Sequence, residues 1–369
     1  MQALLRRALL TVALLVLGAC SEGGTPAAAA TGDDAVILQY HFIATDTPAV
    51  TSVSPERFAE HMDYLEAQGF TILPLPELLD RLRSGRSIPA RSAAITFDDG
   101  YRSVYTEAFP RLEARNWPFT VFVNTAAIET PGRTFASWEE LREMQAAGAT
   151  IANHSVNHPY LVRGSNAAGE ESDAQFEARM HAEIEVAQQR LVEQLGIDNR
   201  LFAYPYGEYD DRVRAWLARN DYLGIGQHSG AVWSGTDFTA VPRFPFSGDY
   251  AAMDELREKL ETKALRVQNA AALPSPALAT REARPELRLT VATQGIRADR
   301  IACYATGQGA TETSVRDLGD GRVEVVARAR MPVRAGRSRY NCTAPRDDGG
   351  FAWFSQPWLR ELAADVTPP

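Results

Sequence analysis

Two adjacent carboxylates, Asp98 and Asp99, close the apolar run 92–97 and are followed by Gly100. A carboxylate at the end of an apolar strand is costly unless something cationic holds it. Further on, the segment Asn153-His154-Ser155-Val156-Asn157-His158-Pro159 follows a second apolar run. Two histidines at i and i+4 on a helical turn point the same way and can bind one metal. A third ligand from Asp98 or Asp99 completes a His₂-carboxylate site with one position open to water. Alone, Asp-Asp-Gly reads as a turn and H-x-x-x-H as a coincidence. Their joint placement on strand ends points to a divalent metal centre.

Such a site needs a frame. Apolar runs at 36–40, 70–75, 92–97, 119–123, 149–154, 201–205, 222–226 and 240–244 read as strands. Helices lie between them. Ser54-Pro55 opens one as cap and first turn, with Phe58, Met62 and Leu65 at helical spacing. Ser137 and Glu140 form a capping box for another, and a long amphipathic helix runs from Gln175 to Leu195 before Gly196. Strands alternating with helices imply parallel βαβ units. The expected fold class is therefore α/β, a closed or partly closed (β/α) barrel spanning 36–262. In such barrels the C-terminal strand ends carry the active site. No G-x-G-x-x-G follows the first strand and no Walker A sequence occurs, so nucleotide binding is not indicated.

Past Lys263 the character changes. Pro274, Pro276 and Pro285 mark a linker over 263–285. Short alternating runs at 286–293, 300–306, 322–331, 338–344 and 351–355 then predict a small all-β sandwich over 286–369.

The chain has 369 residues, enough for two domains, and a formal net charge of −9. That charge argues against nucleic acid as a partner. Arg6 and Arg7 precede the apolar run from Ala8 to Leu17, and Leu17-Gly18-Ala19-Cys20 follows. This is the pattern of a secretory signal over 1–20, and ending on Cys it resembles a bacterial lipoprotein signal with Cys20 lipidated. An ordinary signal with a coincidental Cys is the alternative. Residues 21–35 read as a flexible tether. The implied location is the cell envelope, lipid-anchored and facing the periplasm, which permits disulfides. Setting Cys20 aside leaves Cys303 and Cys342, expected as one disulfide pinning the two β sheets together, or else as two buried thiols.

Three motifs in order, Thr96-Phe97-Asp98-Asp99-Gly100, then His154-Ser155-Val156-Asn157-His158-Pro159, then Phe202-Ala203-Tyr204-Pro205-Tyr206-Gly207, resemble the polysaccharide deacetylase family, the NodB-homology domain. Tyr40-His41 and the stretch 54–70 look most like its envelope poly-β-1,6-N-acetylglucosamine deacetylase branch. The resemblance implies a distorted (β/α) barrel and an acetylated amino-sugar polysaccharide as substrate, either poly-N-acetylglucosamine-like or peptidoglycan. It assigns Asp98 as catalytic base and Asp99, His154 and His158 as metal ligands, usually for zinc. It gives the backbone N–H of Tyr206 to the oxyanion and makes His228 the candidate acid, with a one-residue offset from the family's Leu-x-His. For His228 a surface-loop histidine is the alternative. Tyr204, Pro205, Trp216 and Arg243 would lie along the substrate, with Asp211 beside Trp216. A helix cap and a core tryptophan are the alternatives for those two. Many members carry Arg where this chain has Ala203, and Arg243 is a candidate substitute for orienting the base. His41 either lines the site or packs at the end of its strand. His61 and His181 are expected on helix surfaces.

Three functions compete: a metal-dependent N-deacetylase, an O-acetyl esterase on the same fold, and a non-catalytic glycan-binding lipoprotein using Trp353, Phe354 and Trp358 as a stacking platform. Binding alone does not need the Asp98, Asp99, His154, His158 constellation, which favours the enzymes.

Overall fold

The computed structural model describes residues 31–162, 171–278 and 283–360. Cys20 and the signal sequence lie outside them. Among the described residues no helix is long and apolar enough to cross a membrane.

A curled sheet forms the first lobe. Its strands run Leu223–Ile225, Leu201–Ala203, Thr150–Asn153, Thr120–Val123, Ser92–Phe97, Asp34–Tyr40 and Val232–Trp233, neighbour to neighbour. All pair in parallel except Val232–Trp233, which runs antiparallel to Asp34–Tyr40. The strands are buried on both faces, as a parallel sheet covered by helices must be. Side chains alternate accordingly. Ile37, Ala94, Phe122, Ala152, Ala203 and Ile225 share an inner core. Leu38, Tyr40, Ile95, Phe97, Val121 and Ile151 face the helices, including Phe58, Met62 and Leu65 of Pro55–Ala67 and Leu141 and Met144 of Trp138–Ala146. Both expected caps are present, with Ser54 accepting from the Arg57 N–H and Ser137 and Glu140 closing a capping box. The long helix covers 173–195 through one π turn at His181–Glu185 and ends on left-handed Gly196.

The two edges of the curled sheet are joined by the stretch after Phe238. Val241 bridges to Ile225, and Phe244 pairs with Leu38. Arg243 sits between these two points, on the segment that closes the barrel.

The second lobe is a β sandwich. One sheet holds Lys263–Ala264, Phe351–Arg360, Gly336–Pro345, Ala302–Ala305 and Gly309–Ala310, with Ala277–Leu278 beside Phe351–Arg360. The other is Glu286–Ala292, Arg322–Arg328 and Glu312–Gly319. Leu287, Leu289, Val325 and Ala327 from one meet Tyr340, Cys342, Ala344 and Trp358 from the other in a shared core. Three sequence expectations are corrected here. Cys303 and Cys342 are bonded, but as directly opposed residues of neighbouring strands, so the bridge lies within one sheet and does not tie two together. The stretch 263–285 is not only a connector, because its two short strands extend the same sheet. The tether reading fails over 31–35, where Thr31–Gly32 pairs with Ile88–Pro89 and buried Asp34 begins the first barrel strand.

Candidate active site

Ala94, Thr96 and Asp98 alternate onto the inner face of their strand, as do Ile37, Gln39 and His41 on the neighbouring one, where Gln39 stands opposite Thr96. Asp98 is fully buried. Its Oδ1 and Oδ2 each accept a 2.7 Å bond from the two ends of the Arg243 guanidinium. Gln39 Nε2 donates to Oδ2 at 2.6 Å, and His41 Nε2 lies 4.0 Å from the same oxygen. Arg243 is itself anchored, donating to the Gly226 carbonyl and to Thr96 Oγ1. Burial pushes the Asp98 carboxyl up, but the Arg243 and His154 charges outweigh it and hold it well below the ordinary carboxylate value. The cation that the sequence demanded is therefore Arg243. Arg243 has no exposed surface and turns both ends of its guanidinium onto Asp98.

Directly after Asp98 the chain turns left-handed, with φ of 73° at both Asp99 and Gly100. A Cβ at Gly100 would lie 2.9 Å from Val123 Cγ1, so only glycine fits there. The turn aims Asp99 at the histidines: Oδ1 lies 3.3 Å from His154 Nε2 and 3.4 Å from His158 Nε2. The histidine segment is not a helical turn. Ser155 and His158 have φ of 72° and 55°, and Asn153 Oδ1 and Ser155 Oγ accept from the Ser155 and His158 N–H groups to hold the bend. Left-handed non-glycine residues are strained and concentrate at functional sites.

The three residues fit a metal. Their donor atoms lie within 4.8 Å of one another. His154 Nδ1 donates to the Ala203 carbonyl at 2.8 Å, so Nε2, facing Asp99, is the nitrogen that would give up its proton to a metal. That Nε2 is buried without a hydrogen-bond partner. Burial lowers the His158 imidazole to about 4, with the His154 charge adding to it, so His158 is neutral at ordinary pH and can offer a lone pair.

The remaining candidates separate. Tyr206 (φ 59°) reaches the cluster, its ring centroid 4.4 Å from that of His158 and stacked on Tyr160 at 4.0 Å. Tyr204 and Pro205 are buried, and the Tyr204 hydroxyl donates to the Thr239 carbonyl. Trp216 is a core residue whose Nε1 donates to Glu177, while Asp211 is an exposed first-turn residue of Asp211–Arg219. His228 is buried, and the charges acting on it are those of Arg339, Asp237 and Arg243. Among the described residues none of Asp98, Asp99, His154 or His158 contacts it. His41, by contrast, feels Asp98, Asp99 and His154, although burial still lowers its imidazole. Gln39 and Tyr101, which stacks between Phe42 and Phe135 near Asp99, were not singled out from sequence. The even spacing of Gln39 and the inner residues of its strand was the available signal. The stacking platform is not formed: Trp358 is buried in the sandwich, Phe354 packs on the same core, and Trp353 packs edge-on against Phe244.

Residues 85–225 match the family model described as polysaccharide deacetylase. The poly-beta-1,6-N-acetyl-D-glucosamine N-deacetylase of Escherichia coli K12 is 24% identical over 223 residues, which are 52% of this chain and 33% of that protein. The chain thus spans about a third of the length of that relative. The enzyme of the same name from Staphylococcus epidermidis is 27% identical over 203 residues, 54% of this chain and 69% of the relative. The solved structure of IcaB from Ammonifex degensii superposes with a TM-score of 0.54 at 27% identity, covering 62% of this chain and 98% of that one.

Proposed function

We propose, for a chain whose residues 85–225 are a polysaccharide deacetylase domain, that it hydrolyses N-acetyl groups of an acetylated amino-sugar polysaccharide, with zinc as the metal. The observation that carries this reading is a buried, arginine-held carboxylate beside a convergent Asp-His-His donor set. The names of the relatives support poly-N-acetylglucosamine or a similar glycan as substrate.

Asp99, His154 and His158 would hold the metal, which when bound would supply Lewis acidity. Asp98 takes the proton of the attacking water, a contribution of roughly 10²–10⁴ in rate. Arg243 and Gln39 fix both oxygens of Asp98, so the base meets the water in one orientation. The Tyr206 backbone N–H faces the developing oxyanion, and one such donor is worth about 3 kcal/mol. His41, not His228, passes on to the leaving nitrogen the proton that Asp98 has taken, because only His41 stands beside Asp98. Water and amide are thereby converted to acetate and a free amine. The chain acts at the cell envelope, attached to the membrane through lipidated Cys20. Membrane fractionation of Cys20→Ser checks the attachment, since an unchanged membrane share excludes it. Acetate release from N-acetylglucosamine oligomers of defined linkage checks the activity. Release from O-acetylated oligomers alone replaces it with an esterase.

A further inference from the structure

A cavity of about 590 Å³ opens between the two lobes and begins at Tyr206 of the active-site loop. Such a volume suits a ligand of one or two sugar rings. Its far wall is the strand Gly336–Pro345. Along that strand Tyr340, Cys342 and Ala344 are buried toward the sandwich. Arg337 and Arg339 therefore share the opposite face and line the cavity.

The two arginines differ in their partners. Arg337 donates to the Tyr206 carbonyl at 2.5 Å and lies 3.8 Å from Glu208, so it clamps the active-site loop to the second lobe. Arg339 is partly buried, yet its guanidinium makes no hydrogen bond or ion pair with any of the described residues. Its electrostatic neighbours include the Tyr250 hydroxyl, His228 and the like-charged Arg337 and Lys259. A desolvated cation next to another cation is unfavourable unless an anion joins them. Asp249 lines the same cavity but does not pair with Arg339. Tyr250, 58% exposed, offers an aromatic ring on the same wall, which suits the apolar face of a sugar.

We infer that this cavity is a glycan subsite in which Arg339 binds the carboxylate of an acidic sugar, so that the enzyme selects amino-sugar chains that also carry carboxylates. The planar guanidinium fork matches a carboxylate in two parallel bonds. The same charge repels a sugar that has already lost its acetyl group and carries an ammonium. This inference rests on the proposed function for its meaning, but its test does not depend on turnover.

Titration calorimetry compares three oligosaccharides of equal length: neutral N-acetylglucosamine, the same chain with carboxylate-bearing sugars at alternate positions, and the fully deacetylated chain. The wild type is expected to bind the acidic oligomer about 10-fold more tightly than the neutral one. Arg339→Gln should remove that preference while leaving neutral binding unchanged, which also reports an intact fold. Arg339→Lys should retain part of it. Equal wild-type affinity for neutral and acidic chains, or a preference that survives Arg339→Gln, overturns the subsite. Acetate release from the neutral oligomer judges the proposed function separately.

Discussion

Arg243 and Asp98 are 145 residues apart in the chain and meet through two 2.7 Å bonds in the fully buried centre of the barrel. Arg243 sits on the segment whose Val241 and Phe244 bridge the two open edges of the sheet. The element that closes the barrel therefore also delivers the group that keeps Asp98 ionised. Closure and the charge state of Asp98 are linked through one side chain.

Removing that side chain should affect both. Arg243→Met leaves Asp98 buried and uncompensated, a loss of roughly 3–5 kcal/mol in stability. The Asp98 pKa then rises, so the acid limb of the kcat/KM profile should move to higher pH. Asp98→Asn combined with Arg243→Met should recover much of the stability, because the orphaned charge is gone. Denaturant midpoints of the two singles and the double measure this. Additive losses would contradict a coupled pair.

His41 and His228 make different predictions. His41→Gln should lower kcat by about 10²-fold or more with metal content unchanged, since it removes a proton donor. His228→Gln should leave kcat within a few-fold, because its ring lines the interlobe cavity and not the Asp-His cluster. Acetate-release kinetics on the two variants decide between them, and the reverse pattern restores His228 as the acid.

His61 was expected on a helix surface and is instead fully buried, between the Tyr40 hydroxyl and the Ala251 carbonyl. The hydroxyl donates to Nδ1 and Nε2 donates to the carbonyl, so the neutral ring is satisfied. Burial lowers its pKa from 6.5 to about 4. A histidine depressed in the native state stabilises above its unfolded pKa, and that stability is lost as pH falls. Between pH 6.5 and about 4 the loss should approach 1.4 kcal/mol per pH unit. The pH slope of the unfolding free energy, wild type minus His61→Gln, isolates it, and identical slopes would rule it out.

The disulfide closes a loop of 39 residues in sequence. Cross-linking a loop of that length is worth about 4 kcal/mol in the chain-entropy model. Reduction should therefore lower the unfolding midpoint of the sandwich, while the barrel site, which shares no residue with the bridge, keeps its metal. A single shared loss of metal and sandwich structure on reduction would show that the lobes do not behave this way.

The barrel strands were legible because a covered parallel sheet writes continuous apolar runs, and the caps were legible because Ser54, Ser137 and Glu140 act locally. Asp98, Asp99, His154 and His158 were legible as a set because each follows an apolar run. The route by which the two histidines converge was not: a helical turn and a bend through left-handed Ser155 and His158 place i and i+4 alike, and neither residue type signals a positive φ. Glu312–Gly319 was missed because this edge strand is half exposed and carries no apolar alternation. Trp353 and Trp358 looked like a platform because aromatic sequence does not reveal which face a neighbouring lobe covers. His61 looked solvent-facing because a single polar residue on an apolar helix face declares no partner until Ala251 arrives from the far end of the barrel.

The most direct test pairs metal analysis with acetate release on Asp98→Asn, Asp99→Asn and His158→Ala. Asp98→Asn should abolish acetate release with metal content near that of the wild type, because Asp99 and both histidines remain. Asp99→Asn and His158→Ala should lose metal and activity together, and added Zn²⁺ should restore them in part while leaving Asp98→Asn inactive. An active Asp98→Asn enzyme, or a metal-free wild type that still releases acetate, contradicts the account.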